Sequence, residues 1–196
     1  MSRQASITRK TNETEIDLTL DLDGSEYAAD TGVGFFDHML DLLSRHANIG
    51  LKVKANGDLE TGSHHTVEDV GIVIGQAIDQ ALGDRYGIRR YGSAVVPMDE
   101  AAAACAIDIS GRPLSVFRGE IPVTSIANYE TELTEEFFRA IANGAKMTLH
   151  MEIKYGSNVH HMIEAAFKAF ARALRVAVSI GPDEKGVPST KGTLNT

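Results

Sequence analysis

A five-residue pattern occurs twice in this chain. His64-His65-Thr66-Val67-Glu68 returns as His160-His161-Met162-Ile163-Glu164, and the two pairs take four of the seven histidines. Residues three and four apart share one face of a helix. Each copy therefore presents imidazole and carboxylate donors together, a set suited to a divalent transition metal. Two copies imply a duplicated fold with a metal centre shared between its halves.

The hydrophobic pattern supports the duplication. In the first half, Ile16, Leu18, Leu20 and Leu22 alternate with Asp17, Thr19, Asp21 and Asp23, which reads as a strand ending at Asp23-Gly24. A helix is expected over 34–44, a strand over 51–54, and a helix from Val67 to Leu82 after the first histidine pair. The second half repeats the order, with a strand over 104–111, a helix over 134–143, a strand over 147–153 and a long helix from Val159 to Val178. Thr134 is expected to cap the third helix, with Phe137, Phe138 and Ile141 on its buried side and Asn143-Gly144 at its end. The linker is expected between Arg89 and Pro97, giving structural repeats over 1–94 and 95–196 that make one compact unit. Strands and helices in this order predict an α+β fold with helices packed on one face of mostly antiparallel sheets.

Aligning the halves adds donors. His38 lies on the helix before the first pair, and the corresponding helix of the second half carries Glu136. One half thus offers His38, His64, His65 and Glu68, and the other Glu136, His160, His161 and Glu164. Consecutive helical residues point about 100° apart, so neighbouring histidines cannot easily chelate one ion. Each pair is expected to split between two metals, with sites of mixed halves or mixed subunits. Nitrogen and carboxylate donors together suit Mn, Fe, Co or Zn. His46, after the first helix, reads either as catalytic or as a helix C-cap, whereas His150 in an alternating strand reads as structural.

Bulk properties narrow the function classes. At 196 residues and 43% apolar, the chain can bury a sizeable core. A formal charge of −8 argues against nonspecific nucleic-acid binding, which needs a basic face. Any anionic ligand must then be held by a local cluster of Arg and Lys. The lone Cys105 excludes an internal disulfide, as fits a reducing compartment. No stretch approaches the roughly 20 apolar residues of a membrane span. The first residues also lack the hydrophobic core of a secretory signal, so the cytoplasm is expected.

Several motifs in order carry a resemblance. They are Phe36-Asp37-His38-Met39-Leu40, His64 to Asp69, Met98-Asp99-Glu100-Ala101, Ser110-Gly111-Arg112-Pro113, His160 to Ala165, and Pro188-Ser189-Thr190-Lys191-Gly192. From about Arg9 to Gly192 the chain closely resembles the imidazoleglycerol-phosphate dehydratases of L-histidine biosynthesis. The resemblance implies a duplicated fold of the ribosomal protein S5 domain 2-like kind, assembled into a shell of 24 subunits with active sites between subunits. It implies two manganese ions per site, held by His38, His64, His65, Glu68, His160, His161 and Glu164. Many members have histidine where this chain has Glu136, a carboxylate that can still bind manganese. Acidic residues often precede the first pair, where this chain has Thr61-Gly62-Ser63.

The implied reaction converts D-erythro-imidazoleglycerol phosphate to imidazoleacetol phosphate and water. The resemblance points to Arg90, Arg112, Ser189, Thr190 and Lys191 for the phosphate, where arginine can offer two parallel donors. Glu13 and His46 are implied in substrate binding and acid–base catalysis, with His38 also touching substrate and Glu164 also catalytic. The expected path runs through a metal-bound imidazolate, which expels the hydroxyl to give a diazafulvene-like intermediate with an acidic neighbouring C–H. Two rival readings remain from the residues alone, a ferritin-like di-iron bundle and a metal-binding shell without activity.

Overall fold

The computed structural model describes residues 2–194. The first half builds β1 (Gln4–Lys10), β2 (Thr14–Asp21), β3 (Tyr27–Asp30), α1 (Gly34–Ala47), β4 (Gly50–Gly57) and α2 (His64–Leu82). The second half builds β5 (Tyr91–Met98), β6 (Ala101–Asp108), β7 (Leu114–Arg118), α3 (Leu133–Gly144), β10 (Thr148–Tyr155) and α4 (Val159–Val178). It also carries a small hairpin, β8 (Ser125–Ile126) with β9 (Tyr129–Glu130).

The duplication extends to strand order. One sheet runs β1-β2-β4-β3 and the other β5-β6-β10-β7, with the corresponding strands in corresponding places. In each, the only parallel pair is the one that needs a helical crossover, β3 with β4 across α1 and β7 with β10 across α3. All other pairs within these sheets are antiparallel. Strands so distributed exclude a ferritin-like bundle.

Period-two patterning aims each sheet inward. Ile16, Leu18 and Leu20 of β2 are buried while Glu15, Asp17 and Thr19 face out. The inner faces carry the helices, with α2 on β1 and β2, and α4 on β5 and β6. The helices then pack across the halves, α1 against α4 and α2 against α3. Phe36 of α1 meets Phe137 of α3 edge to face at 5.1 Å, and Phe167 of α4 stacks on Phe137 at the same distance. The core is therefore a helical layer between two sheets, and neither half could bury it alone.

At the α2–α3 crossing the backbones nearly touch. A Cβ on Gly75 would lie 2.5 Å from the Ile141 carbonyl oxygen, and one on Gly144 would lie 2.6 Å from the Ile72 oxygen. Only the missing side chains permit this approach.

Two expectations are corrected. Most of the linker expected between Arg89 and Pro97 lies in strand β5, so a division at 94/95 falls inside a strand and the chain crosses between sheets at 83–90. Its burial explains the misreading, because on this strand only Gly92 is fully buried. Thr134 does not cap α3, which begins one residue earlier; its hydroxyl instead hydrogen-bonds the buried Tyr129 hydroxyl at 3.0 Å.

Candidate metal centre

The histidine pairs open their helices. His64 and His65 are the first residues of α2, while His160 and His161 follow Val159 at the start of α4. Asn158 caps α4 by accepting from the backbone N–H of both His160 (2.9 Å) and His161 (3.4 Å). The rings of each pair diverge as helical geometry requires, with interplanar angles of 81° in the first and 79° in the second. The two members of a pair accordingly have different neighbours.

The first member faces the glutamate one turn on. His64 Nε2 lies 3.5 Å from Glu68 Oε2, and His160 Nε2 lies 3.1 Å from Glu164 Oε2. At the second pair, α1 packed along α4 adds His38, whose Nε2 is 3.8 Å from Glu164 Oε2. One ligand atom from each of His38, His160 and Glu164 lies within 4.8 Å of the others, the one such group of three among the described residues. It joins the first half to the second. Two imidazoles and a carboxylate converging at that spacing fit a first-row divalent ion such as manganese. Phe35 packs edge-on against the His160 ring at 5.1 Å and limits how it can turn.

The second member of each pair is held by a carboxylate from a loop. Asp58 reaches His65 Nδ1 at 3.0 Å, and Glu100 reaches His161 Nδ1 at 2.7 Å. On the other nitrogen, Glu13 stands 3.9 Å from His65 Nε2 and Asp99 stands 3.7 Å from His161 Nε2. A hydrogen bond from Nδ1 to a carboxylate fixes ring orientation and leaves Nε2 as the donor to a metal. These contacts raise both histidines above their usual pKa, the hydrogen bond being the largest cause. They lower Asp58, and they hold Glu100, which also accepts from the backbone N–H of Ser157 and Asn158, at about 2.

Burial pushes the Glu164 carboxyl up, but Lys168 and His160 together outweigh it and leave it below the usual range. Lys168 Nζ sits 2.6 Å from Glu164 Oε1. His46, two turns beyond His38 on α1, is lowered by burial and then by Lys168, Arg172 and Arg45, against an opposing pull from Glu164; the net shift favours its neutral form. Glu136 stands on α3. Its carboxylate pairs with Arg139 one turn on and does not join a donor cluster among the described residues. His150 stands at an exposed position of β10.

The phosphate candidates gather elsewhere. Arg90 forks onto Asp108 (Nε to Oδ1, 2.7 Å; Nη2 to Oδ2, 3.2 Å), and its Nη1 donates to the Pro188 carbonyl at 2.9 Å. Ser189, Thr190 and Lys191 follow directly in the tail. Arg112 lies exposed in the turn after β6, whose Ile109 N–H donates to the Arg90 carbonyl at 3.0 Å. Sequence reasoning missed Asp58, Asp99, Glu100 and Lys168. Lys168, four residues after Glu164, was legible from helical spacing, whereas the loop carboxylates depend on tertiary placement.

Fold and site together define a duplicated α+β protein whose halves meet at a histidine–carboxylate cluster. Residues 31–174 match the family described as imidazoleglycerol-phosphate dehydratase, and the chain belongs to that family. The imidazoleglycerol-phosphate dehydratase of Acetivibrio thermocellus is 57% identical over 195 residues, covering 99% of this chain and 100% of the relative. That of Xanthobacter autotrophicus is 55% identical, covering 99% and 100%. Among solved structures, the Staphylococcus aureus enzyme superposes with a TM-score of 0.83 at 39% identity, covering 91% of this chain and 99% of its own. The Pyrococcus furiosus enzyme matches at 0.83 and 33%, covering 95% and 99%. No helix among the described residues is long and apolar enough to cross a membrane.

Proposed function

We propose that this hydro-lyase converts D-erythro-imidazoleglycerol phosphate to imidazoleacetol phosphate and water in L-histidine biosynthesis, using two manganese ions per site. The observation that carries the proposal is the convergence of His38, His160 and Glu164 from opposite halves of the fold. The names of the relatives support the substrate.

In this reading one metal is held by His38, His160 and Glu164, and a second by His64, Glu68 and Glu136, which would exchange its Arg139 pair for the ion. His65 and His161 complete the sites with the Nε2 atoms that their loop carboxylates leave free. Bound manganese supplies Lewis acidity that favours the imidazolate form of the substrate ring. The remaining work falls to side chains. Arg90, Arg112, Ser189, Thr190 and Lys191 grip the phosphate and orient the chain of the substrate. The electron-rich ring then expels the adjacent hydroxyl through a diazafulvene-like species. Glu13 and His46 divide the two proton transfers, one to the departing hydroxyl and one from the neighbouring carbon. The lowered pKa of His46 favours the neutral imidazole that the acceptor role needs.

Geometry also supports sites built between subunits. Arg90 N–H bonds the Ala177 carbonyl near the end of α4, whereas His160 begins that helix. At about 1.5 Å per residue, the backbones of His160 and of Arg90 in one chain lie about 25 Å apart. A substrate of one ring, a three-carbon chain and a phosphate, with bonds of about 1.5 Å, cannot span that distance. The separation supports a phosphate end contributed by another copy, as in a shell of 24 subunits. The test is incubation of the manganese-loaded protein with imidazoleglycerol phosphate while ketone formation is followed. Steady product formation is expected, and its absence in fully loaded protein overturns the proposal.

A further inference from the structure

Hydrogen bonds from the body reach the carboxyl-terminal segment. Gly87 N–H donates to the Gly186 carbonyl at 2.8 Å, Arg90 Nη1 to Pro188, and Arg85 Nη1 to Leu194. The last tie is unusual. Arg85 is 1% exposed and stands in the left-handed region at φ 61°, in the connection between α2 and β5. One arm of its guanidinium reaches Asp79 and another the Leu194 carbonyl, while Nε finds no partner among the described residues.

Burying a guanidinium is costly unless its contacts compensate. Asp79 does not require it for neutralisation, because Lys146 Nζ lies 2.7 Å away on the other oxygen. Unlike Lys146, Arg85 also reaches the tail, through the Leu194 carbonyl. Gly111 makes the room, since a Cβ there would lie 1.8 Å from the Leu194 oxygen. The Leu194 side chain is buried alongside. Between the ties at Pro188 and Leu194 stand Ser189, Thr190 and Lys191, in a turn where Lys191 N–H donates to Ser189 Oγ at 3.2 Å and Gly192 N–H to Ser189 O at 3.0 Å.

We propose that Arg85 is a positioning residue that, by anchoring Leu194, holds Ser189–Lys191 beside Arg90 and Arg112 as a phosphate-gripping loop. The proposal rests on the phosphate end assigned above. A fork is needed because one guanidinium must span Asp79 and the tail, and a lysine ammonium cannot reproduce that geometry.

The test uses the assembled, manganese-loaded protein with Arg85→Met and Arg85→Lys. Inorganic phosphate serves as a competitive probe, and hydrogen exchange is followed across 186–194. Loss of a charged hydrogen bond to the tail is expected to raise KM and the phosphate inhibition constant about tenfold, with kcat and manganese content little changed. Exchange in the tail should quicken in parallel. A merely structural role would lower the melting temperature without moving the phosphate constant. Should Arg85→Met fail to fold, Arg85→Lys keeps a buried cation against Asp79 and carries the same expectation. A folded variant that binds phosphate as the unmodified protein does overturns the role of Arg85. If the unmodified protein neither turns over substrate nor responds to phosphate, the parent reading falls and this proposal with it.

Discussion

Gly75→Ala sets helix propensity against packing at the crossing that joins the halves. Alanine favours a helix interior over glycine by about 1 kcal/mol. The new Cβ, however, would lie 2.5 Å from Ile141 O, 2.8 Å from Ala145 N and 2.9 Å from Gly144 Cα. All three are backbone atoms of α3 or of Ala145 just after it, so no side chain can swing aside. Restoring ordinary contact requires α2 and α3 to part by about 1 Å, which forfeits a quarter to a half of the dispersion energy at each affected contact. Overpacking of this kind costs about 1–3 kcal/mol. With rigid backbone on the far side the cost lies in the upper half of that range, so packing wins by about 1–2 kcal/mol. For a chain of this size the melting temperature should fall by roughly 2–8 °C. Gly34→Ala is the control, since nothing lies within 4 Å of its Cβ, and it should change stability by less than about 0.5 kcal/mol. Thermal denaturation followed by circular dichroism measures both. If Gly75→Ala melts at or above the parent temperature, the close backbone crossing is wrong.

Glu164→Gln should weaken manganese binding. At a hundredfold excess over Kd the metal stabilises the parent by about 2.7 kcal/mol, or roughly 5–11 °C, and the variant should lose most of that shift. An unchanged shift would remove Glu164 from the donor set. Manganese affinity should fall as pH drops from about 8 to about 6, because a ligating imidazole must be neutral and His65 and His161 hold their protons to higher pH than usual. Calorimetry should also find protons released on binding, and pH-independent affinity would contradict this. Glu13→Gln and His46→Ala should each lower kcat by about a hundredfold or more with metal content intact. Full turnover in both fully loaded variants would reject the acid–base assignment.

Much of the fold was legible where burial is one-sided. β2 alternates cleanly, and α1 to α4 carry apolar stripes, because each turns one face to the helical layer. The edge strands β1, β3, β5 and β7 were not found. Each pairs on one side only and buries few residues, so its sequence lacks a strong period. The centre divides in the same way. The paired histidines and their i+4 glutamates are helical patterns and could be read directly. His38 was found by comparing the halves, but its meeting with Glu164 depends on α1 packing beside α4. Asp58 and Glu100 act from loops in different places of the two halves, so no repeat announces them. The Glu136–Arg139 pair, by contrast, lay in plain i,i+3 spacing.

The central claim is that donors from both halves hold one ion. Anomalous diffraction at the manganese edge from crystals of the loaded protein tests it directly. The account predicts a strong peak bound by His38, His160 and Glu164 of one chain, with a second ion nearby completed by a neighbouring copy. A peak whose ligands all come from one half, or none at these residues in active protein, would contradict it.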